Sequence, residues 1–139
     1  MRTRKLTIES RTEQLIAVRE FVSAAARDFG FRDEEISKIA LAVDEACTNI
    51  IKHGYRFDSS KNLTITIKPG NGAFEVLITD TGTRFNPDEL QTPDMKEYLA
   101  QYKKGGLGVY LMKTLMDKVE YHIRPGEMNE VRLVKYLER

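Results

Sequence analysis

The sequence predicts an α+β fold, a two-layer sandwich in which helices cover one face of a mixed, mainly antiparallel sheet. Three observations support this prediction. Apolar residues recur at helical spacing through the first third of the chain. Apolar and polar residues then alternate in the middle and at the end, as they do in half-buried strands. Turn residues separate the alternating segments at hairpin distances, which favours antiparallel pairing.

The composition indicates one globular domain, which we expect to span residues 1–139. Hydrophobic residues make up 41%, charged residues 31%, and the net charge is only +1. So small a charge predicts neither nucleic acid nor an anionic membrane as a partner. The single cysteine, Cys47, excludes an internal disulfide framework and a cysteine-rich zinc site. No apolar run is long enough for a membrane helix and the first residues do not resemble a signal peptide, so we expect a cytoplasmic protein.

A short strand and a helix are predicted first. Residues 5–8 form the strand, and Ser10 with Glu13 resembles a capping box for the helix that follows. The apolar positions of this helix are Leu15, Val18, Phe21, Val22, Ala25 and Phe29. Gly30 ends the helical pattern, because glycine readily adopts the left-handed conformation at a helix end.

A second helix is predicted from Asp33, as its N-cap, to about Lys52, with Gly54 as its candidate stop. Its apolar face consists of Ile36, Ile39, Ala40, Val43, Cys47, Ile50 and Ile51. The later predicted elements are strands at 63–67 and 74–78 joined by a Pro-Gly-Asn-Gly turn, a helix at 107–116, and strands at 119–123 and 131–136. A polar stretch, residues 86–104, precedes the third helix, and so long a loop is usually a functional lid or disordered.

The second helix carries a carboxylate and an amide one turn apart, Glu45 and Asn49, with His53 a further turn on. Oxygen ligands of this kind suit Mg²⁺, which also keeps water and phosphate oxygens in its shell. A carboxylate nearby can also orient or deprotonate an attacking hydroxyl. The alternative for Glu45 and Asn49 alone is a solvated helix face with no ligand.

A second candidate site begins at Asp80, which shares the strand parity of Phe74, Val76 and Ile78 and is expected to point to the same buried side. A buried carboxylate is costly unless it is paired, and the exocyclic amine of adenine would pair it. Gly82 would allow a tight turn or a close approach to a ligand. The alternative is an Asp-x-Gly turn that only closes the strand.

The third candidate site is the Gly-Gly-Leu-Gly segment at 105–108, which opens a predicted helix. Backbone amides at a helix N-terminus suit phosphate oxygens, and Lys103 and Lys104 add positive charge just before it. The spacing matches neither a P-loop nor a dinucleotide-binding fingerprint. The alternative is a flexible loop before an ordinary helix.

Together, in this order, the three segments resemble the motifs of the GHKL ATPase superfamily. Residues 44–53 are similar to its N box, residues 80–85 to its first glycine box, and residues 105–109 to its second. Within the superfamily the chain is most similar to the anti-sigma-factor serine kinases, in the N box and in residues 105–117. The resemblance covers nearly the whole chain and implies the Bergerat ATP-binding fold.

The resemblance implies roles for individual residues. Glu45 would be the catalytic general base or orienting carboxylate, Asn49 would ligate Mg²⁺, and Asp80 would bind the adenine amine. Residues 86–104 would be the ATP lid. The residues implied to contact ATP are Asn49, Asp80, Gly82, Phe85, Lys104, Gly105, Gly106, Leu107, Gly108 and Val109.

The resemblance also implies a function. Such a protein is a serine/threonine protein kinase and anti-sigma factor: it binds a sigma factor, phosphorylates a serine on an antagonist protein, and commonly forms a homodimer. The sequence departs from the family pattern at two places that bear on the kinase step. Lys104 stands where the family often has arginine, and residues 83–84 contain no glycine. The alternatives are a non-catalytic ATP-binding regulatory module and a structural domain with no ligand.

Overall fold

The computed structural model describes residues 1–54, 60–80, 112–123 and 129–138. Its strands are β1 (Arg4–Glu9), β2 (Asn62–Pro69), β3 (Ala73–Asp80), β4 (Lys118–Ile123) and β5 (Asn129–Tyr136). Its two long helices are α1 (Leu15–Phe29) and α2 (Asp33–Asn49). A 3₁₀ turn at Thr12–Gln14 precedes α1, and a π-helical turn at Ile50–Gly54 follows α2. Within these ranges, no helix has the length and apolar character required to cross a membrane.

The five strands form one sheet in the order β1-β2-β3-β5-β4, and all four described pairings are antiparallel. The predicted hairpin is β2–β3: Gly70 donates its backbone N–H to the Ala73 carbonyl at 2.9 Å, and Gly72 has a φ of 71° in the turn. The predicted α+β class is therefore confirmed. The alternating residues of β2 and β3 determine which face of the sheet is buried.

Both helices lie on one face of the sheet, where α1 contacts β1 and β2 while α2 contacts β3 and β5. The core between these layers contains fully buried side chains from every layer, including Val18, Val22, Ile39, Ile65, Ile67, Phe74, Ile78 and Leu133. Gly30 ends α1 with a φ of 116° and donates its N–H to the Ala26 carbonyl at 3.2 Å. That short left-handed stop turns the chain back, so α1 and α2 pack side by side.

The predicted capping box is wrong. The side chain of Ser10 caps no helix: its backbone N–H donates to the Lys61 carbonyl at 2.9 Å, which prolongs the contact between β1 and β2. The α-helix itself begins only at Leu15, after the 3₁₀ turn. The sheet therefore takes Ser10 into its edge, where 1% of its surface is exposed, before the helix begins.

The predicted third helix is confirmed for residues 112–115, which are helical, with Met112 and Met116 buried against the core. Its start at residue 107 and the expected lid at 86–104 lie outside the described residues.

Candidate functional site

Asp80 is the last residue of β3 and lies on the buried face, as its strand parity predicts. Only 4% of its surface is exposed. It pairs with Asn129, the first residue of β5, whose side-chain Nδ2 donates to Asp80 Oδ2 at 3.3 Å. The other carboxylate oxygen, Oδ1, has no hydrogen-bond partner within the described part of the chain. One acceptor of a buried carboxylate is thus left for a ligand.

Burial raises the pKa of Asp80 from 3.8 to about 6, because removal of water disfavours the charged form. The hydrogen bonds from Asn129 and the charge of Lys61 oppose this shift. With a pKa of about 6, the carboxylate is mainly ionised at pH 7 and accepts hydrogen bonds. An amine donor such as that of adenine fits this chemistry.

Asn129 was missed by the sequence analysis, although the signal was present. It shares strand parity with Val131 and Leu133, which are buried, and 6% of its own surface is exposed. The sequence analysis selected Asp80 because it is a polar residue at the end of an apolar strand face, and the same argument identifies Asn129. The predicted strand began at residue 131, two residues too late to include it.

Glu45 and Asn49 lie on the last two turns of α2, and both are partly exposed. The adjacent Ala46 and Cys47 are fully buried, so the acid and the amide lie at the edge of the core face, as predicted. Asp44 on the same helix accepts a hydrogen bond from Arg19 Nε at 3.0 Å.

The helix changes its geometry directly after Asn49. Residues 50–54 follow the wider i→i+5 pattern of a π-helix, in which residues occupy different angular positions from those of an α-helix. The predicted stripe of Glu45, Asn49 and His53 stays a prediction at its last position, because the side chain of His53 lies outside those that the structure describes. Such turns are frequent at functional sites, and this one begins at the residue after Asn49.

Cys47 belongs to the core, as predicted. It is fully buried, and burial together with the charge of Asp44 raises the pKa of its thiol well above the usual value. The thiol is therefore protonated and unreactive at neutral pH.

The structure brings two of the three predicted segments to one face of the sheet. α2 packs on β3 and β5. Its residues Val43 and Ala46 belong to the same core as Ile78 and Val131. Ile78 lies two residues before Asp80 on β3, and Val131 lies two residues after Asn129 on β5. The remaining residues predicted to contact ATP lie outside the described residues. They are Gly82, Phe85, Lys104, Gly105, Gly106, Leu107, Gly108 and Val109. Within the described ranges, no group of three or more His, Cys, Asp or Glu side chains is arranged to hold a metal.

The described residues form an α+β domain with a buried carboxylate at the end of a central strand. The model of the histidine kinase-like ATPase domain family matches residues 8–135, so the chain belongs to that family. The predicted superfamily and the ATP-binding character are thereby confirmed.

Relatives narrow the class further. The chain is 33% identical over 138 residues to the serine-protein kinase RsbW of Bacillus subtilis, covering 96% of this chain and 84% of that one. It is 32% identical over 141 residues to the serine-protein kinase RsbW of Halalkalibacterium halodurans, covering 99% and 85%. These relatives confirm the predicted enzyme class, a serine-protein kinase.

A solved structure supports the fold independently. The crystal structure of the RsbU and RsbW domains of a Mycobacterium tuberculosis protein superposes with a TM-score of 0.69 at 16% identity. The match covers all of this chain and 33% of that longer chain.

Proposed function

We propose that the protein is an ATP-dependent serine kinase and anti-sigma factor, which binds a sigma factor and phosphorylates a serine on an antagonist protein. The observation that carries the proposal is the buried Asp80 carboxylate, with Oδ1 lacking a partner in the described part of the chain, on the sheet face that also bears α2. The similarity to serine-protein kinases along nearly the full length supports it.

In the proposed complex, Asp80 accepts a hydrogen bond from the adenine amine and so fixes the base. Gly82 and Phe85 shape the base pocket, and residues 86–104 form a lid over the nucleotide. Lys104 and the backbone amides of 105–109 bind the phosphates, as glycine-rich helix starts do. All of these residues belong to the proposed single domain, residues 1–139.

Asn49 would ligate Mg²⁺, which neutralises phosphate charge when it is bound. Glu45, one turn before it, would orient the substrate serine and accept its proton. The serine Oγ forms a bond to the γ-phosphorus while the bond to the β,γ-bridging oxygen breaks, and ADP leaves with that electron pair. Positioning and electrostatics supply most of the rate.

The proposed partners are a sigma factor and its antagonist protein, and we propose that the chain acts in the cytoplasm as a homodimer. A second candidate function is a non-catalytic regulatory module, in which ATP orders the lid and thereby controls a binding surface. Lys104 favours this candidate, because lysine lacks the planar fork with which arginine binds a phosphate in two places.

The decisive experiment incubates the protein with labelled ATP, Mg²⁺ and a cognate antagonist protein. We expect label on a serine, and we expect Glu45→Ala to lower the transfer rate by roughly 100-fold or more while leaving ATP affinity nearly unchanged. Asp44→Ala is the matched control, because it removes the adjacent carboxylate, which binds Arg19. Intact ATP binding with no labelled serine would exclude the kinase and leave the regulatory module.

A further inference from the structure

Lys61, which directly precedes β2, lies at the same end of the sheet as Asp80. The register pairs Leu63 with Asp80. The backbone N–H of Ser10 donates to the Lys61 carbonyl at 2.9 Å, which extends the pairing of β1 with β2 one residue beyond the strand. Lys61 therefore shares the strand parity of Leu63, which is buried in the core between the sheet and the helices. Its side chain is directed to the face of the sheet on which Asp80 lies.

The separation of the two residues is within the reach of a lysine side chain. Lys61 and Asp80 occupy diagonal positions on neighbouring antiparallel strands, and such residues lie about 7 to 8 Å apart. Lysine carries its ammonium on a flexible four-carbon stem, which can cover most of that distance. Lys61 is partly buried, so solvent screens its charge less than it would at a fully exposed site.

The carboxylate of Asp80 needs such a cation to stay charged. Burial raises its pKa to about 6, and the hydrogen bonds from Asn129 and the charge of Lys61 oppose this rise. Only the ionised form accepts hydrogen bonds with both oxygens, and Oδ1 has no partner within the described part of the chain.

The other elements packed on β3 do not supply this charge. β5 contributes the neutral amide of Asn129 at this end of the sheet. The last turns of α2 carry Asp44 and Glu45, which are anions, and the protonated thiol of Cys47. An anion raises the pKa of a neighbouring carboxyl, whereas the ammonium of Lys61 lowers it.

We propose that Lys61 is a positioning residue for nucleotide binding: its ammonium, diagonal to Asp80 on the same face of the sheet, keeps the Asp80 carboxylate ionised and ready to accept the amine of the base. This inference rests on the proposed binding of ATP. It adds a residue before β2 to a site whose sequence motifs lie on α2, at the end of β3 and in the glycine-rich segments.

The first test measures the pKa of Asp80 by NMR titration of its carboxyl in the protein without nucleotide. We expect a higher pKa in Lys61→Met, which loses the charge, and a pKa near that of the wild type in Lys61→Arg, which keeps it. Lys68→Met is the matched control, because Lys68 is an exposed lysine on the opposite face of β2. An unchanged pKa in folded Lys61→Met would overturn the inference, and Lys61→Gln replaces that variant if it does not fold.

The second test measures ATP affinity with Mg²⁺ by titration calorimetry at several pH values. Near pH 6 about half of the Asp80 carboxyl is protonated, so a further rise in its pKa should weaken ATP binding by Lys61→Met roughly twofold relative to the wild type. Near pH 8 the carboxyl is ionised in both proteins, so the difference should vanish, and Lys61→Arg should behave as the wild type does at every pH.

The outcomes separate this inference from the proposed function. A loss of affinity of equal size at pH 6 and pH 8 would mean that Lys61 contacts the nucleotide directly, and it would overturn the positioning role. ATP binding by the wild type together with an unchanged pKa of Asp80 in the variant overturns the inference alone. A wild type that binds no ATP overturns the proposed function and the inference with it.

Discussion

The two ends of β3 have opposite chemistry although they share one strand and one buried face. Near its start, Phe74 packs with Phe29 and Phe31, with ring centroids 5.4 to 5.6 Å apart. At its end, six residues and about 20 Å away, Asp80 is as buried as a core residue but has an oxygen with no partner in the described part of the chain. One end is closed by apolar contacts and the other is built around a carboxylate.

This difference separates stability from binding within a single element. Three aromatic rings at the hairpin end bury a large apolar area and need no ligand. At the other end, the buried carboxylate costs stability until a donor pairs with it. The contrast predicts that substitutions at the two ends have opposite effects on folding and on nucleotide affinity.

The largest expected effect is at the aromatic end. Phe74 is fully buried, so Phe74→Ala should lower the free energy of unfolding by about 3 to 5 kcal/mol, measured by urea denaturation. Phe74→Leu should cost less than about 1.5 kcal/mol, because most of the volume is retained. Both variants should bind ATP normally under conditions in which they are folded. A loss below 1 kcal/mol for the alanine variant would show that the rings do not close this end.

At the carboxylate end of β3, the free energy of unfolding should depend on pH, because the buried group titrates. Burial raises the pKa of Asp80 from 3.8 to about 6, so between these values the folded state keeps a proton that the unfolded chain has released. This stabilises the fold at low pH, and the contribution is lost as the pH rises through about 6.

Relative to Asp80→Asn, which does not titrate, the free energy of unfolding of the wild type should fall by about 2 to 3 kcal/mol between pH 4 and pH 7. Denaturation at several pH values in the absence of nucleotide measures it. Parallel curves for the two proteins would contradict the burial cost on which the contrast depends.

The smallest expected effect on the free energy of unfolding is on the face of the sheet opposite the helices. The charged side chains there are partly solvated, in contrast to the buried carboxylate of Asp80. Arg132 donates to Glu75 at 2.7 Å and to Glu120 at 3.1 Å, and its side chain is 29% exposed. Arg132→Ala should cost about 1 kcal/mol or less, decreasing in high salt, with ATP affinity unchanged. A double-mutant cycle with Glu75→Gln isolates the interaction between Arg132 and Glu75. A coupling energy above about 2 kcal/mol would contradict the expectation that this solvated ion pair contributes little to stability.

Much of the fold could be predicted because the local pattern and the tertiary contacts agree. Alternation in β2 and β3 identified the buried face, and Gly30 identified the end of α1, because glycine readily adopts the left-handed conformation found there. The same parity placed Asp80 correctly at the end of a buried face. The site roles of Glu45 and Asn49 remain predictions, as do those of the residues outside the described ranges.

Two features were not predictable from local pattern, and for a third, Asn129, the burial was predictable from strand parity but the partner was not. Ser10 resembles a helix cap, but pairing with Lys61 in the sheet takes its backbone N–H. The π-helical turn after Asn49 leaves no sign in the apolar spacing. Asn129 belongs to β5, yet its importance depends on pairing with Asp80, 49 residues earlier in the chain.

By itself, the sequence determined the class of the fold, the positions of most helices and strands, and the motifs that identify an ATP-binding family. Those properties depend on side-chain periodicity and on residues close together in the chain. Only the tertiary structure decided which distant residues share a hydrogen bond and which buried oxygens are left for a ligand. The reason is physical: the desolvation of Asp80 and its contact with Asn129 exist only after β3 and β5 have paired.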